Sequence, residues 1–352
     1  MSGVRELARP EIAALVAYIP ATRSESILMD SNESWQDMHG NSRGLNRYPA
    51  PLTLASARLA PRYGVRPDQI LLTRGSDDAI DALSRVFCRA GQDAVQVTPP
   101  TFHMYSLSAR IQGAAVLETP RTLPDFAFDI GQVLEDWRPA VKLLYICTPN
   151  NPTGNETPAA DIQRLCRALA GRSLVVVDEA YAEFSSTPSA AHYLDEYPNL
   201  VVLRTLSKAW ALAGERCGVL LADPDVIHLV RQVLPPYPMA VSSLEAALRT
   251  LEPSAERAMQ ARVEHVVHER TRLAEAIAKL PGVRRVYPSA ANFLLARFTD
   301  AAGLQQALSA AGLRVRPLKQ PGLQDCLRIT IGSRAENDRL LALLRELEMA
   351  HA

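Results

Sequence analysis

Between Gln69 and Ala222 short apolar runs alternate with stretches of helical periodicity, and this alternation constrains the fold more than any other feature of the chain. The runs read as strands over Gln69–Thr73, Asp93–Thr98, Ala114–Glu118, Val141–Cys147, Leu174–Val177, Leu200–Leu203 and Cys217–Ala222. Leu174-Val175-Val176-Val177 has no polar side, so both of its faces must be covered. Between the first two strands, Ile80, Leu83 and Phe87 recur at helical spacing and give one apolar stripe. Strands separated by such helices predict an α/β class: a large domain with a mostly parallel seven-stranded sheet and helices on both faces.

The chain has 352 residues, more than one core usually serves, and its texture changes after Pro253. Ser254–Leu280 reads as one long helix with Met259, Val263, Val266, Val267, Leu273 and Ile277 on a stripe. Strands over Asn292–Phe298, Leu313–Pro317 and Cys326–Ile331 follow, with helices over Ala301–Ala311 and Ala335–Glu348, a smaller α+β domain. The expected division is an N-terminal arm (1–35) packing with the small domain, a large domain (36–252) and the small domain (253–352).

Acidic and basic residues balance at 38 each, which argues against a nucleic-acid partner. No apolar run approaches the ~20 residues of a membrane span, and Met1–Ile12 has no signal-peptide core, so a cytoplasmic location is expected. The five cysteines are scattered without CxxC spacing and read as thiols of a reducing compartment. His265 and His268 lie three apart on a predicted helix, but the pattern suggests no further ligand for them, so no metal site is expected.

In an open α/β sheet, ligands bind beyond the carboxyl ends of the strands. Polar groups gather at those ends: Gly75-Ser76-Asp77, Asn150-Asn151, Asp178 with Tyr181, and Ser207-Lys208. The sequence has four lysines, and Lys208 alone stands at such an end. Either it is an ordinary loop lysine, or partial desolvation lowers its pKa and frees its amine for a Schiff base. Asp178 closes an apolar strand; either it caps a following helix, or it awaits a cationic partner such as a protonated pyridine nitrogen. Gly75-Ser76-Asp77 opens a helix, as an N-cap or as a phosphate site to which Ser207 and Arg216 add. Phe102 is a core aromatic or a flat surface for a ring. Asn151 and Tyr181 are turn and packing residues or donors to a ring oxygen.

Read in order, these segments resemble the fold-type-I, pyridoxal-5′-phosphate (PLP)-dependent aminotransferases. The resemblance is carried by Leu45-Asn46-Arg47-Tyr48-Pro49, Thr73-Arg74-Gly75-Ser76-Asp77, Pro99-Pro100-Thr101-Phe102, Pro149-Asn150-Asn151-Pro152-Thr153-Gly154, Val177-Asp178-Glu179-Ala180-Tyr181, Arg204-Thr205-Leu206-Ser207-Lys208, Ala213-Gly214-Glu215-Arg216-Cys217-Gly218 and Cys326-Leu327-Arg328-Ile329-Thr330. Within the family the text is most similar to the branch that acts on histidinol phosphate. The resemblance implies PLP bound through Lys208, which also moves a proton. It implies Asp178 at the ring nitrogen, Asn151 and Tyr181 at the ring oxygen, Phe102 on the ring face, and Gly75, Ser76, Asp77, Ser207 and Arg216 at the phosphate. It further implies a homodimer in which Tyr48 reaches the neighbouring site. Arg328 would hold the glutamate carboxylate or the histidinol phosphate group, with Arg316 and Tyr18 as further substrate contacts. Glutamate and 2-oxoglutarate form the second substrate pair.

Three features depart from the family text. Residues 34–42 lack its proline-rich segment, Glu215 stands where relatives carry a small or apolar residue, and His103 follows Phe102. They leave open an aromatic amino-acid aminotransferase or a threonine-phosphate decarboxylase of the same fold. A non-catalytic effector domain lacks support, because no added DNA-binding segment or basic excess is present. So does a serine hydrolase built on Ser207 or Ser76, because neither stands in a G-x-S-x-G elbow.

Overall fold

The structure, a computed structural model, describes residues 3–16, 29–38 and 45–349. Among them, strands β1 (Ile70–Arg74), β2 (Ala94–Val97), β3 (Ala115–Glu118), β4 (Val141–Cys147), β5 (Leu174–Asp178), β6 (Leu200–Thr205) and β7 (Cys217–Ala222) form one sheet in the order β1-β7-β6-β5-β4-β2-β3. The bounds differ from the expected ones by at most two residues. Strands β3, β2, β4, β5 and β6 run parallel. β7 is antiparallel to both of its neighbours, β1 and β6. That reversal places Cys217 opposite Arg74 and Gly218 opposite Thr205. Arg216, which precedes β7, therefore arrives at the edge where β1, β5 and β6 end.

The apolar run of β5 explains the layering. Leu174 and Val176 join Leu83, Phe87, Tyr105 and Leu203 in the core on one face. Val175 and Val177 join Leu72, Ile146, Val202 and Trp210 on the other. Alternate side chains of a strand point to opposite faces, and each buried aliphatic contributes about 1.5–3 kcal/mol.

The small domain holds an antiparallel sheet of β8 (Val283–Val286), β9 (Phe293–Phe298), β10 (Arg316–Pro317) and β11 (Cys326–Thr330), in the order β10-β11-β9-β8. β8 was not expected, because Val283-Arg284-Arg285-Val286 shows no alternation. The expected strand Leu313–Pro317 shrinks to two exposed residues, where Pro317 has no N–H to donate. The long helix runs Pro253–Ile277. Leu273 and Ile277 enter the small-domain core, whereas Met259, Val263 and Val266 pack on Tyr181, Phe184 and Phe293. Val267, expected on the same stripe, is 36% exposed. The helix thus ties the small core to the carboxyl edge of the large sheet.

The described start of the chain differs from expectation. Val4, Leu7 and Ala8 are buried in the core that contains Leu83, Val86, Val226 and Val230, which belongs to the large domain. The Arg9 amide donates to the Val86 carbonyl at 3.0 Å, and the Gln232 amide nitrogen donates to the Leu15 carbonyl. Val4 and Leu7 lie one helical turn apart, and their apolar face packs on the helices Ser76–Phe87 and Pro224–Val233 rather than on the small domain. No helix among the described residues is long and apolar enough to cross a membrane.

Candidate active site

A cavity of about 800 Å³ opens at the carboxyl edge of the large sheet, with the small domain supplying one wall. It gathers Ser76, Asp77, Phe102, Asn151, Asp178, Tyr181, Ser207, Lys208, Arg216, Arg316 and Arg328 into one lining. Gly75 lies beneath it as the residue that starts the helix Ser76–Phe87. Tyr48 is not part of this lining, and Tyr18 lies outside the described residues.

One end of the cavity is built for an anion. Gly75 has φ +77°, and a Cβ on it would lie 2.6 Å from the Arg216 guanidinium. A Cβ on Gly218 would fall 2.2 Å from the Gly75 carbonyl carbon and 2.4 Å from the Ser76 nitrogen. These two glycines let β7 press against the helix start, where backbone N–H groups lack intrahelical partners. Arg216, itself at φ +55°, donates to Asp77 at 3.3 Å and to the Ser207 hydroxyl at 3.5 Å. A helix N-terminus, a hydroxyl and a guanidinium therefore converge, which suits a phosphate. Glu215 turns away: its carboxylate accepts from the Ser243 hydroxyl at 3.1 Å and does not line the cavity.

The floor carries Asp178, which is 2% exposed. Its carboxylate accepts from the Tyr105 hydroxyl at 2.6 Å and from the Ala180 amide at 3.0 Å. Among the described residues it has no ion pair. Burial pushes its pKa up to about 6, against the lowering effect of those two donors. A buried carboxylate without a cation is costly, and a protonated ring nitrogen would supply the missing charge.

Lys208 opens into the cavity, with its amine 5.6 Å from the centre of the Tyr181 ring. Desolvation by the surrounding walls, then the positive charge of Arg328, hold its pKa below the usual lysine value; Asp178 and Asp77 oppose this. Tyr181 is buried against the edge of Phe293, and burial raises its pKa, so its phenol stays a neutral donor. The Asn151 amide oxygen accepts from Arg328, which leaves the Asn151 NH₂ to donate elsewhere. Arg328 sits over Phe293 at 5.3 Å and pairs across the small sheet with Arg316. His103 lies at the rim, edge-on to Phe102 at 5.4 Å.

Sequence reasoning missed Tyr105, Gly218 and Cys147. Tyr105 lies three residues beyond Phe102, the spacing that turns it inward from the first helical turn toward β5. Gly218 belongs to a quoted segment, but a close backbone approach is a tertiary fact. The Cys147 thiol lines the floor, and burial pushes its pKa up to about 12.

The profile of aminotransferase class I and II matches residues 20–344. The chain belongs to that family. A protein named histidinol-phosphate aminotransferase from Stenotrophomonas maltophilia (strain R551-3) is 46% identical over 353 residues, covering 97% of this chain and 96% of its own length. One of the same name from Xylella fastidiosa (strain 9a5c) is 41% identical, covering 99% and 98%. The crystal structure of histidinol-phosphate aminotransferase from Sinorhizobium meliloti in complex with pyridoxal-5′-phosphate superposes with a TM-score of 0.80 at 25% identity, covering 88% of this chain and 84% of that one. The family is PLP-dependent, and the cavity fits that cofactor. An anion cradle, a buried carboxylate lacking a cation, an amine of lowered pKa and an aromatic face at Phe102 match its phosphate, ring nitrogen, aldehyde and ring.

Proposed function

We propose that this aminotransferase interconverts L-histidinol phosphate plus 2-oxoglutarate and imidazole-acetol phosphate plus L-glutamate. The observation that carries the reading is the presence of two guanidinium groupings in one cavity: Arg216 from the start of β7, and Arg316 with Arg328 from the small sheet. The first suits the cofactor phosphate. The second suits another anion, the phosphate of histidinol phosphate in one half-reaction and the α-carboxylate of glutamate in the other. The names of the relatives point to the same substrate.

In this reading Gly75, Ser76, Asp77, Ser207 and Arg216 hold the cofactor phosphate, and Phe102 covers one ring face. Asp178 keeps the ring nitrogen protonated, while the Asn151 NH₂ and the Tyr181 hydroxyl donate to the ring oxygen. When bound, PLP supplies an electron sink for the electron pair left as the substrate C–H bond breaks. Lys208 Nζ would take that proton from the substrate carbon and return it. Arg328 and Arg316 orient the anionic end of the substrate, and Tyr18 is assigned beside them on resemblance.

We further infer a homodimer in which Tyr48 reaches the cofactor phosphate of the neighbouring subunit. Tyr48 is 48% exposed and stacked on Tyr237 at 4.2 Å. Trp35, Met38, Leu45 and Leu54 are also exposed, apolar surface that a second copy would cover. Sedimentation equilibrium should return twice the chain mass; a monomer overturns this. Five buried free cysteines support a cytoplasmic place.

The test of function is the cofactor absorbance of the purified enzyme on adding L-histidinol phosphate without any keto acid. The expected result is complete conversion in a single half-reaction at micromolar substrate, with phenylalanine far less effective. An unchanged spectrum with histidinol phosphate overturns the substrate assignment.

A further inference from the structure

Tyr105 is wholly buried, and its hydroxyl meets the Asp178 carboxylate with the Cys147 thiol beside it. The phenol donates to Asp178 Oδ2 at 2.6 Å, while the Ala180 amide takes Oδ1 at 3.0 Å. The ring is fixed from two sides: it stacks on Tyr145 at 4.6 Å with an interplanar angle of 6°, and meets the edge of Phe102 at 5.6 Å and 82°. The start of the helix Met104–Gln112 therefore controls two things at once. Phe102 presents a face to the cofactor ring, and Tyr105 reaches behind it to the carboxylate that meets the ring nitrogen.

We propose that Tyr105 is a positioning residue: its hydroxyl fixes the Asp178 carboxylate and holds it in the charged form, so that the shared proton stays on the ring nitrogen. The proposal rests on the assignment of Asp178 to the ring nitrogen. A hydroxyl that donates to a buried carboxylate favours the charged form. Removing it leaves one fewer donor on a carboxylate that has no ion pair among the described residues, so the carboxylate holds a proton to higher pH. Tyr105 itself stays neutral, because burial and the adjacent Asp178 raise its pKa well above the ordinary phenol value. The other groups facing Asp178 are Tyr145 and Cys147 from β4, Asp77 from the helix Ser76–Phe87, Glu179, Tyr181 and Lys208. Tyr105→Phe leaves all of them in place.

The test uses the full-length apoenzyme and pyridoxine 5′-phosphate, which keeps the ring nitrogen and phosphate but has no aldehyde for Lys208 to attack. Affinity is measured from pH 5 to pH 9 for wild type, Tyr105→Phe, Asp178→Asn and the double variant. Tyr105→Phe should move the acidic limb of the profile upward by about one pH unit or more. In the Asp178→Asn background the same change should move nothing. A limb that stays in place, or that moves equally in both backgrounds, reduces Tyr105 to packing and overturns the proposal. Failure of the wild type to bind the probe would instead overturn the cofactor assignment of Asp178. Should Tyr105→Phe bind too weakly to profile, the pH dependence of apoenzyme melting serves. The Asp178-linked loss of stability with rising pH should extend to higher pH in Tyr105→Phe; an unchanged span counts against the hydroxyl.

Discussion

Asp178 and Glu179 are adjacent, both are buried, and the protein treats them in opposite ways. Glu179 meets Arg204 at 3.3 Å, accepts from the Ser189 hydroxyl at 2.5 Å and from the Ala190 amide at 2.6 Å. Arg204 also bonds Glu183 at 2.7 Å. Every charge there has a partner within the chain. Asp178 faces the cavity with a phenol and one amide, and no ion pair among the described residues. Burial raises the pKa of both carboxyls, but Arg204 works against the rise at Glu179, and no arginine or lysine does so strongly at Asp178. A buried charge satisfied internally is structure. One left without an ion pair at a strand end, in the wall of a cavity, marks a candidate ligand site.

The sharpest way to break this comparison is to remove one member of each site. Asp178→Asn keeps the shape and removes the charge proposed to face the cofactor ring nitrogen. Its kcat should fall by about 10²–10³-fold, the scale of a lost electrostatic contact at a reacting centre, while the fold persists. Arg204→Ala should do the reverse. Stripping the cation from a buried network costs about 3–5 kcal/mol of stability, with kcat of the folded fraction much less affected. Urea unfolding beside steady-state rates reads both. Similar losses of rate in the two variants would show that the sites are not separable.

Much of this contrast was legible before the structure. The run Leu174–Val177 announced a doubly covered strand, and Asp178 at its end announced a buried carboxylate. Lys208, Asn151, Tyr181 and Arg216 followed from strand ends and ordered segments, and all line one cavity. What escaped depends on distant text coming together. Tyr105 reads as one more apolar position in a helix, since only folding shows which strand its hydroxyl meets. Gly218 reads as a strand residue until β7 is seen pressed on Gly75. The N-terminal residues carry a two-residue apolar face that fits either domain, and nothing local says which. β8 escaped for the opposite reason: half-exposed at a sheet edge, it has no hydrophobic pattern to read.

The subtlest consequence of an unpaired Asp178 is a pH dependence of the apoenzyme. Its folded-state pKa of about 6 lies above the ordinary value of 3.8. The folded protein therefore binds this proton more tightly than the unfolded chain does. The associated stabilisation is fully present below about pH 4 and is lost as pH rises through about 6, at no more than ~1.4 kcal/mol per pH unit. Asp178→Asn has no such proton. Apoenzyme stability of the wild type minus that of Asp178→Asn should fall between about pH 4 and pH 6 and level off above. Melting temperatures of the two proteins at matched pH values check this. Parallel curves across the window would mean that the donors to Asp178 fully offset its burial, and the distinction between the neighbours would collapse.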